Sequence, residues 1–185
     1  MKLKHSVMIG MLGKIADRFH TYQADKSLEE RLDRAARVEG ADGIEIVYPP
    51  HFEDVERTIK LVKDKGLTVS ALNLNVKAAP QWGKGSFTAP DPGTRAAAVR
   101  DLKFALDLAA ELGTDMVTCC PLIDGHNYSF QVDYLKQWAW LEEGIAEGLK
   151  HRDDIRLSLE YKLNESCNYN VLADMGRTLY LCERL

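Results

Sequence analysis

The chain has 185 residues, 45% of them apolar and 28% charged, which is typical of a soluble globular protein with one good core. A formal net charge of −4 gives no electrostatic reason to expect a nucleic acid or an anionic membrane as partner. No stretch resembles a signal peptide or approaches the roughly 18 apolar residues of a membrane span. We therefore expect a single cytoplasmic domain over residues 1–185.

Five short apolar strands are predicted, at residues 3–9, 43–47, 67–76, 115–120 and 155–159. Each is followed by a helix: residues 28–39 after a capping box at Ser27, then 52–65, 92–112 after an N-cap at Asp91, 132–150 and 169–184. The intervening segments 10–25, 77–90 and 122–131 are predicted as loops, and a loop as long as 77–90 indicates a lid or binding loop.

This alternation of strands and helices predicts an α/β fold with a parallel sheet and right-handed crossovers. No G-x-G-x-x-G follows the first strand, which argues against a dinucleotide-binding fold. Polar and aromatic residues cluster after the strands, where (β/α) barrels keep their sites. A closed barrel needs eight such units, so the chain is either an open five-stranded sheet or the N-terminal part of a barrel, and the loops favour the second. Its open strand edges predict a homo-oligomer.

The strongest candidate site follows the fifth strand, where Glu160 and Lys162 come two residues apart. Extended backbone would place them on the same side. The alternative, a solvated ion pair at the end of a strand, is about equally supported by these residues alone. Glu45, in the second strand, is either a site carboxylate or a buried acid with a structural partner.

Five other residues are candidate substrate contacts because they lie in or beside the loops after the strands. His51 follows the second strand, although an exposed loop histidine is the simpler reading. Asn75 ends the third strand, and Trp82 could form an apolar wall over a sugar or anchor its loop. Asp124 and His126 could contact a sugar, or could belong to simple turn chemistry. The four cysteines have no C-x-x-C spacing, so reduced structural thiols are expected.

Several runs resemble the xylose-isomerase-like barrels, a group of sugar isomerases, sugar epimerases and apurinic-site endonucleases. E-Y-K-L-N-E at residues 160–165 is similar to the E-x-K-x-x-E that ends the fifth strand of aldose–ketose isomerases. D-G-I-E at 42–45, S-F-T-A-P-D-P at 86–92 and D-G-H-N-Y-S-F-Q at 124–131 resemble further motifs of the family in the same order.

The resemblance implies a metal-dependent aldose–ketose isomerase in which Glu160 binds Mn²⁺ or Mg²⁺ and Lys162 contacts the carbonyl oxygen of a small sugar. A hard cation prefers oxygen ligands, and an ammonium stabilises charge that grows on a carbonyl oxygen. The family takes its other metal ligands from the sixth to eighth strands, which this sequence lacks. Its Pro-Arg after the E-x-K-x-x-E is also replaced, here by Ser166-Cys167-Asn168.

Two alternatives stay open at this point. One is a sugar epimerase or hydroxypyruvate-type isomerase that works by proton transfer through a glutamate. The other is a catalytically silent scaffold or oligomerisation module. A repair endonuclease is disfavoured by the acidic charge.

Overall fold

The computed structural model describes residues 3–165 and 167–185, so Ser166 lies outside the described residues. Its central element is a five-stranded sheet in which all strands are parallel and neighbours in the sheet are consecutive in the chain. The strands are β1 (Ser6–Met8), β2 (Gly43–Tyr48), β3 (Val69–Leu74), β4 (Met116–Cys119) and β5 (Arg156–Leu159). The predicted α/β class, with a parallel sheet of five strands in five β/α units, is confirmed.

One helix follows each strand. The helices are α1 (Leu28–Ala35), α2 (Val55–Asp64), α3 (Pro92–Glu111), α4 (Tyr134–Leu149) and α5 (Met175–Arg184). Each begins after a Ser or Asp whose side chain accepts a hydrogen bond from a backbone N–H three residues later. Such a cap satisfies one of the donors that a helix leaves free, and typically contributes about 1 kcal/mol.

Two small antiparallel ladders were not predicted. Ile15–Ala16 pairs with Thr21–Gln23 inside the first predicted loop, and Gly125–His126 pairs with Tyr169–Asn170. The second ladder takes up the first residues of the predicted last helix, which therefore starts at Met175, after its cap Asp174.

The two faces of the sheet have different environments. Side chains on the outer face, among them Ile44, Ile46, Leu72, Leu74 and Val117, are at most 1% exposed and pack in the core with the helices. Burial of each such aliphatic side chain stabilises the fold by roughly 1.5–3 kcal/mol. The opposite, inner face is more polar, and no helix of the described residues lines its cavity. No helix in the described part of the chain is both long and apolar enough to cross a membrane.

Candidate active site on the inner face of the sheet

The inner face lines a cavity of about 620 Å³, which we call the inner-face cavity. Strand register explains its composition, because partners in a parallel sheet point to the same side. Met8 of β1 pairs with Glu45 of β2. Asn73 of β3 pairs with Thr118 of β4, which in turn pairs with Ser158 of β5. Leu159, Glu160 and Tyr161 complete the lining.

Glu160 lies directly after β5 and continues the alternation of that strand. Its backbone N–H donates to the carbonyl of Cys119 at 2.9 Å, which keeps the backbone in the sheet one residue beyond Leu159. Its side chain therefore falls on the side of Ser158, and both residues are exposed because this side of the sheet is open. The sheet fixes the backbone position of Glu160, and solvent or a ligand can reach its carboxylate.

Glu45 is a second carboxyl group of the inner-face cavity. It is half-buried, and its side chain has no hydrogen bond or ion pair within residues 3–165 and 167–185. Burial raises the pKa of Glu45, the negative charge of Glu160 raises it further, and Lys77 opposes both. Two carboxyl groups in one cavity can serve acid–base chemistry when one of them, here Glu45, holds its proton more strongly than an exposed glutamate does.

The remaining polar groups of the inner face are an amide and two hydroxyls. The Asn73 side-chain amide donates to the Thr118 hydroxyl at 2.9 Å, which fixes the orientation of both across β3 and β4. Cys120, next to Glu160, is buried, and burial together with the negative charge of Glu160 raises the pKa of its thiol to about 11. Cys120 is therefore a protonated thiol at neutral pH and is not an activated nucleophile.

Lys162 lies beyond Glu160 and forms an ion pair with Glu165. The hydrogen bond from Lys162 to Glu165 within this pair raises the pKa of Lys162, so the ammonium stays charged. The backbone of Lys162 is also fixed, because its N–H donates to Leu172 at 3.0 Å and its carbonyl accepts from the Asn170 amide at 2.9 Å. Lys162 does not line the inner-face cavity, and its partner Glu165 has a φ of 114°, which is unfavourable for a residue with a side chain.

Two of the predicted substrate contacts are engaged elsewhere. Trp82 is 1% exposed and packs in the hydrophobic core, so the expected wall over a sugar is not formed and Trp82 anchors its loop. The Asn75 side-chain oxygen accepts from the backbone N–H groups of Lys77 and Ala78, an arrangement that shapes the turn after β3. Asn75 is half-buried and does not line the inner-face cavity.

Asp124 is fully buried, which favours a role in the loops over a sugar contact. Its carboxylate accepts four hydrogen bonds, two from Ser86 and two from Thr88, in the long loop after β3. Burial raises the pKa of Asp124, whereas these hydrogen bonds lower it. The role of Asp124 is to hold two loops together.

The two predicted histidine contacts lie in cavities other than that of Glu160. His51 lines a cavity of about 350 Å³ between α1 and α2, where its Nδ1 accepts from the Val47 N–H at 3.1 Å. Burial, and then the charge of Arg31, lower the pKa of His51 to about 4. His126 packs between Tyr134 and Tyr169 in a separate aromatic cavity.

The predicted metal site is incomplete in this chain. Within residues 3–165 and 167–185, no three His, Cys, Asp or Glu side chains come together in a way that could hold a metal ion. The inner-face cavity offers two carboxylates, Glu45 and Glu160, whereas Mn²⁺ and Mg²⁺ prefer about six oxygen ligands. The described residues therefore do not by themselves fit a divalent metal.

Sequence reasoning weighed Glu45 without selecting it, and it missed Thr118 and Ser158. The alternation of each strand gives the two faces, but the sequence alone does not give the register that places these residues level with one another. With that register known, polar residues on the inner face of consecutive strands identify the site.

Three comparisons with known proteins bear on this arrangement. The sequence profile described as "Xylose isomerase-like TIM barrel" matches residues 32–185. The chain is 31% identical over 137 residues to a xylose isomerase of Thermus thermophilus, a match that covers 71% of this chain and 35% of that protein. The chain thus spans about a third of the length of this relative.

Solved structures of epimerases share the fold. A D-psicose 3-epimerase from Clostridium cellulolyticum H10, solved with D-tagatose, superposes with a TM-score of 0.67 at 16% identity, over 98% of this chain and 60% of that one. A D-allulose 3-epimerase from Methylomonas sp. in complex with D-allulose gives a TM-score of 0.61 at 19% identity, over 98% and 58%.

Proposed function

The chain belongs to the xylose isomerase-like TIM barrel family, and we propose that it forms part of a sugar isomerase that interconverts an aldose and a ketose. The observation that supports this proposal is the inner-face cavity, where Glu45 and Glu160 lie with the Asn73 amide and the Thr118 hydroxyl. Hydrogen-bonding groups of these kinds suit a polyhydroxylated substrate with a carbonyl group. Because the chain spans 35% of the related xylose isomerase, the activity is proposed for the whole protein.

In this proposal, Glu160 and Lys162 act at the mouth of the cavity. Lys162, kept charged by Glu165, approaches the carbonyl oxygen of the substrate and stabilises the negative charge that grows there. Glu160 is proposed as one ligand of Mn²⁺ or Mg²⁺, which when bound supplies Lewis-acid chemistry. Its other ligands must come from outside the described residues, so no step is assigned to the metal.

Proton transfer is the second candidate mechanism, as in a sugar epimerase or a hydroxypyruvate-type isomerase. The observation that favours it is the pair of carboxyl groups, Glu45 and Glu160, in one cavity, of which Glu45 has no partner among the described residues. One carboxylate could remove a proton next to the substrate carbonyl while the other carboxyl group donates one.

The third candidate, a catalytically silent scaffold, needs no metal and no substrate.

We infer in addition that the protein is cytoplasmic and that it associates with further copies through the open edges of β1 and β5. Size-exclusion chromatography with light scattering tests the association, and a strictly monomeric protein would contradict it.

The deciding experiment uses the whole protein in D₂O with Mn²⁺ and either D-xylose or D-fructose, followed by ¹H NMR of the products. Aldose–ketose isomerisation by hydride shift gives a ketose with little deuterium, whereas proton transfer incorporates deuterium at the reacting carbon. The Glu160→Gln variant should lose either activity, and Glu143→Gln, an exposed helical control, should keep it. No conversion of either sugar, with no Mn²⁺ binding below the millimolar range, would support the silent scaffold.

A further inference from the structure

A second cavity is separate from the inner-face cavity. It has a volume of about 830 Å³ and lies between α4, α5 and the ladder of Gly125–His126 with Tyr169–Asn170. A volume of this size is within the range of small-molecule sites. We propose that this aromatic cavity binds a neutral sugar in its closed ring form.

Aromatic rings form most of its walls. The His126 ring stacks on Tyr169 with centroids 5.1 Å apart and lies 4.8 Å from Tyr134, while Trp138 and Tyr180 are 5.8 Å apart on the helices. These contacts hold the rings in place, yet Tyr134, Tyr169 and Tyr180 remain 46%, 53% and 55% exposed. Fixed aromatic faces that remain accessible suit the C–H face of a pyranose ring, because the negative face of an aromatic ring attracts weakly positive C–H groups.

Two polar atoms of the wall lack partners. His126 Nδ1 and Asn170 Oδ1 are buried and accept or donate no hydrogen bond within the described residues, and Asn170 as a whole is 4% exposed. Leaving buried polar atoms unpaired costs free energy, so residues of this kind indicate a missing partner. A sugar hydroxyl that displaces the groups covering these atoms can donate to Asn170 and can either donate to or accept from His126.

The charges favour a neutral sugar over a sugar phosphate. Arg177 is the one cationic side chain among the described residues that line the cavity, and its Nε lies 3.4 Å from the Asp174 carboxylate. Asp174 also accepts from the backbone N–H of Arg177 at the start of α5, so the carboxylate occupies the end of the helix where a phosphate would bind. A phosphate would have to displace it.

The test is a titration of the ¹⁵N-labelled chain with methyl β-D-xylopyranoside. Its ring cannot open, because its anomeric carbon is an acetal, so it cannot react as an aldose in the inner-face cavity. The chain has three tryptophans, and the indole signal of Trp138 is identified with a Trp138→Phe variant. We expect a saturable shift of that signal in the millimolar range.

Matched variants locate the binding. His126→Ala and Tyr169→Ala should each weaken it by roughly three- to tenfold, the size expected for the loss of one aromatic contact. Tyr128→Ala, in the same loop but outside the lining, should bind as the parent does. Circular dichroism checks that each variant is folded, and the parent titration decides the question if the variants are not.

Three outcomes would overturn the proposal: no Trp138 shift on titration, a shift that both variants retain, or stronger binding of benzyl alcohol than of the pyranoside. The last would make the cavity a site for aromatic rings. Glu160→Gln should leave pyranoside binding unchanged, so this proposal and the proposed isomerase activity fail separately.

Discussion

Asp124 accepts hydrogen bonds from the backbone N–H and from the hydroxyl of Ser86, a residue 38 positions earlier in the chain. Thr88 adds an equivalent pair, at 2.8 Å from its N–H and 2.7 Å from its hydroxyl. These bonds join the loop after β3 to the loop after β4, and Trp82 and Phe87 of the same loop are each 1% exposed. The long loop is therefore a fixed part of the fold that frames the strand ends.

Replacement of Asp124 tests whether its carboxylate holds the two loops together. Asp124→Ala leaves two buried backbone N–H groups and two hydroxyls without an acceptor, and we expect a loss of about 3–5 kcal/mol in the free energy of unfolding. Urea denaturation measures it. Asp133→Ala, which removes the exposed N-cap of α4, is the control and should cost about 1 kcal/mol. Equal effects of the two variants would show that Asp124 does not clamp the loops.

His51 predicts a pH dependence of stability. Its pKa is lowered to about 4 in the folded chain, against about 6.5 when exposed, so between these values the unfolded state binds more protons than the folded state. The free energy of unfolding should therefore fall as the pH drops from 6.5 to 4, by roughly 2–3 kcal/mol from this group.

Urea titrations from pH 7.5 down to pH 4.5 measure this effect in the parent and in His51→Gln. The variant should lack the His51 part of the slope. The exposed carboxylates with lowered pKa, such as Asp17 and Glu30, lose their contribution at lower pH and do so in both proteins. Identical slopes would contradict the lowered pKa of His51.

Gly125 is required for the ladder beside the aromatic cavity. A Cβ at this position would overlap the Tyr169 carbonyl oxygen and would lie 3.0 Å from the Asn170 Cα. Because both atoms belong to the backbone, Gly125→Ala should destabilise the chain by about 1–3 kcal/mol, as overpacking does. Gly10→Ala, whose Cβ would meet only a Val47 methyl at 3.9 Å, should be close to neutral in the same thermal unfolding measurement. A neutral Gly125→Ala would rule out the close approach.

Much of the fold follows from local patterns in the sequence. The apolar runs of β2 to β5 and the caps at Ser27 and Asp91 gave the correct elements and the correct alternation. The two-residue ladders carry no periodicity of their own, because they form only when distant loops meet, and so they could not be predicted. Helix starts at Val55 and Met175 were predicted too early for a similar reason, since the caps Asp54 and Asp174 are recognisable only from their backbone geometry.

The candidate site was predicted less completely than the fold. Glu160 was selected from its place after a strand, and the structure puts it in the inner-face cavity. Asp124 and Trp82 have residue types that suit a sugar site, and their burial depends on packing between loops that no local pattern gives. The roles of Glu160 and Lys162 remain predictions.

The most direct test of the account is the rate of sugar conversion, with Mn²⁺ present, by the whole protein carrying Glu160→Gln, relative to the parent and to Glu143→Gln. We predict that the loss of the Glu160 charge lowers the rate at least about a hundredfold, as removal of a group that acts in the transition state does, while Glu143→Gln matches the parent. A Glu160→Gln variant as active as the parent, or a parent that converts neither sugar, would contradict the assignment of the inner-face cavity as the active site.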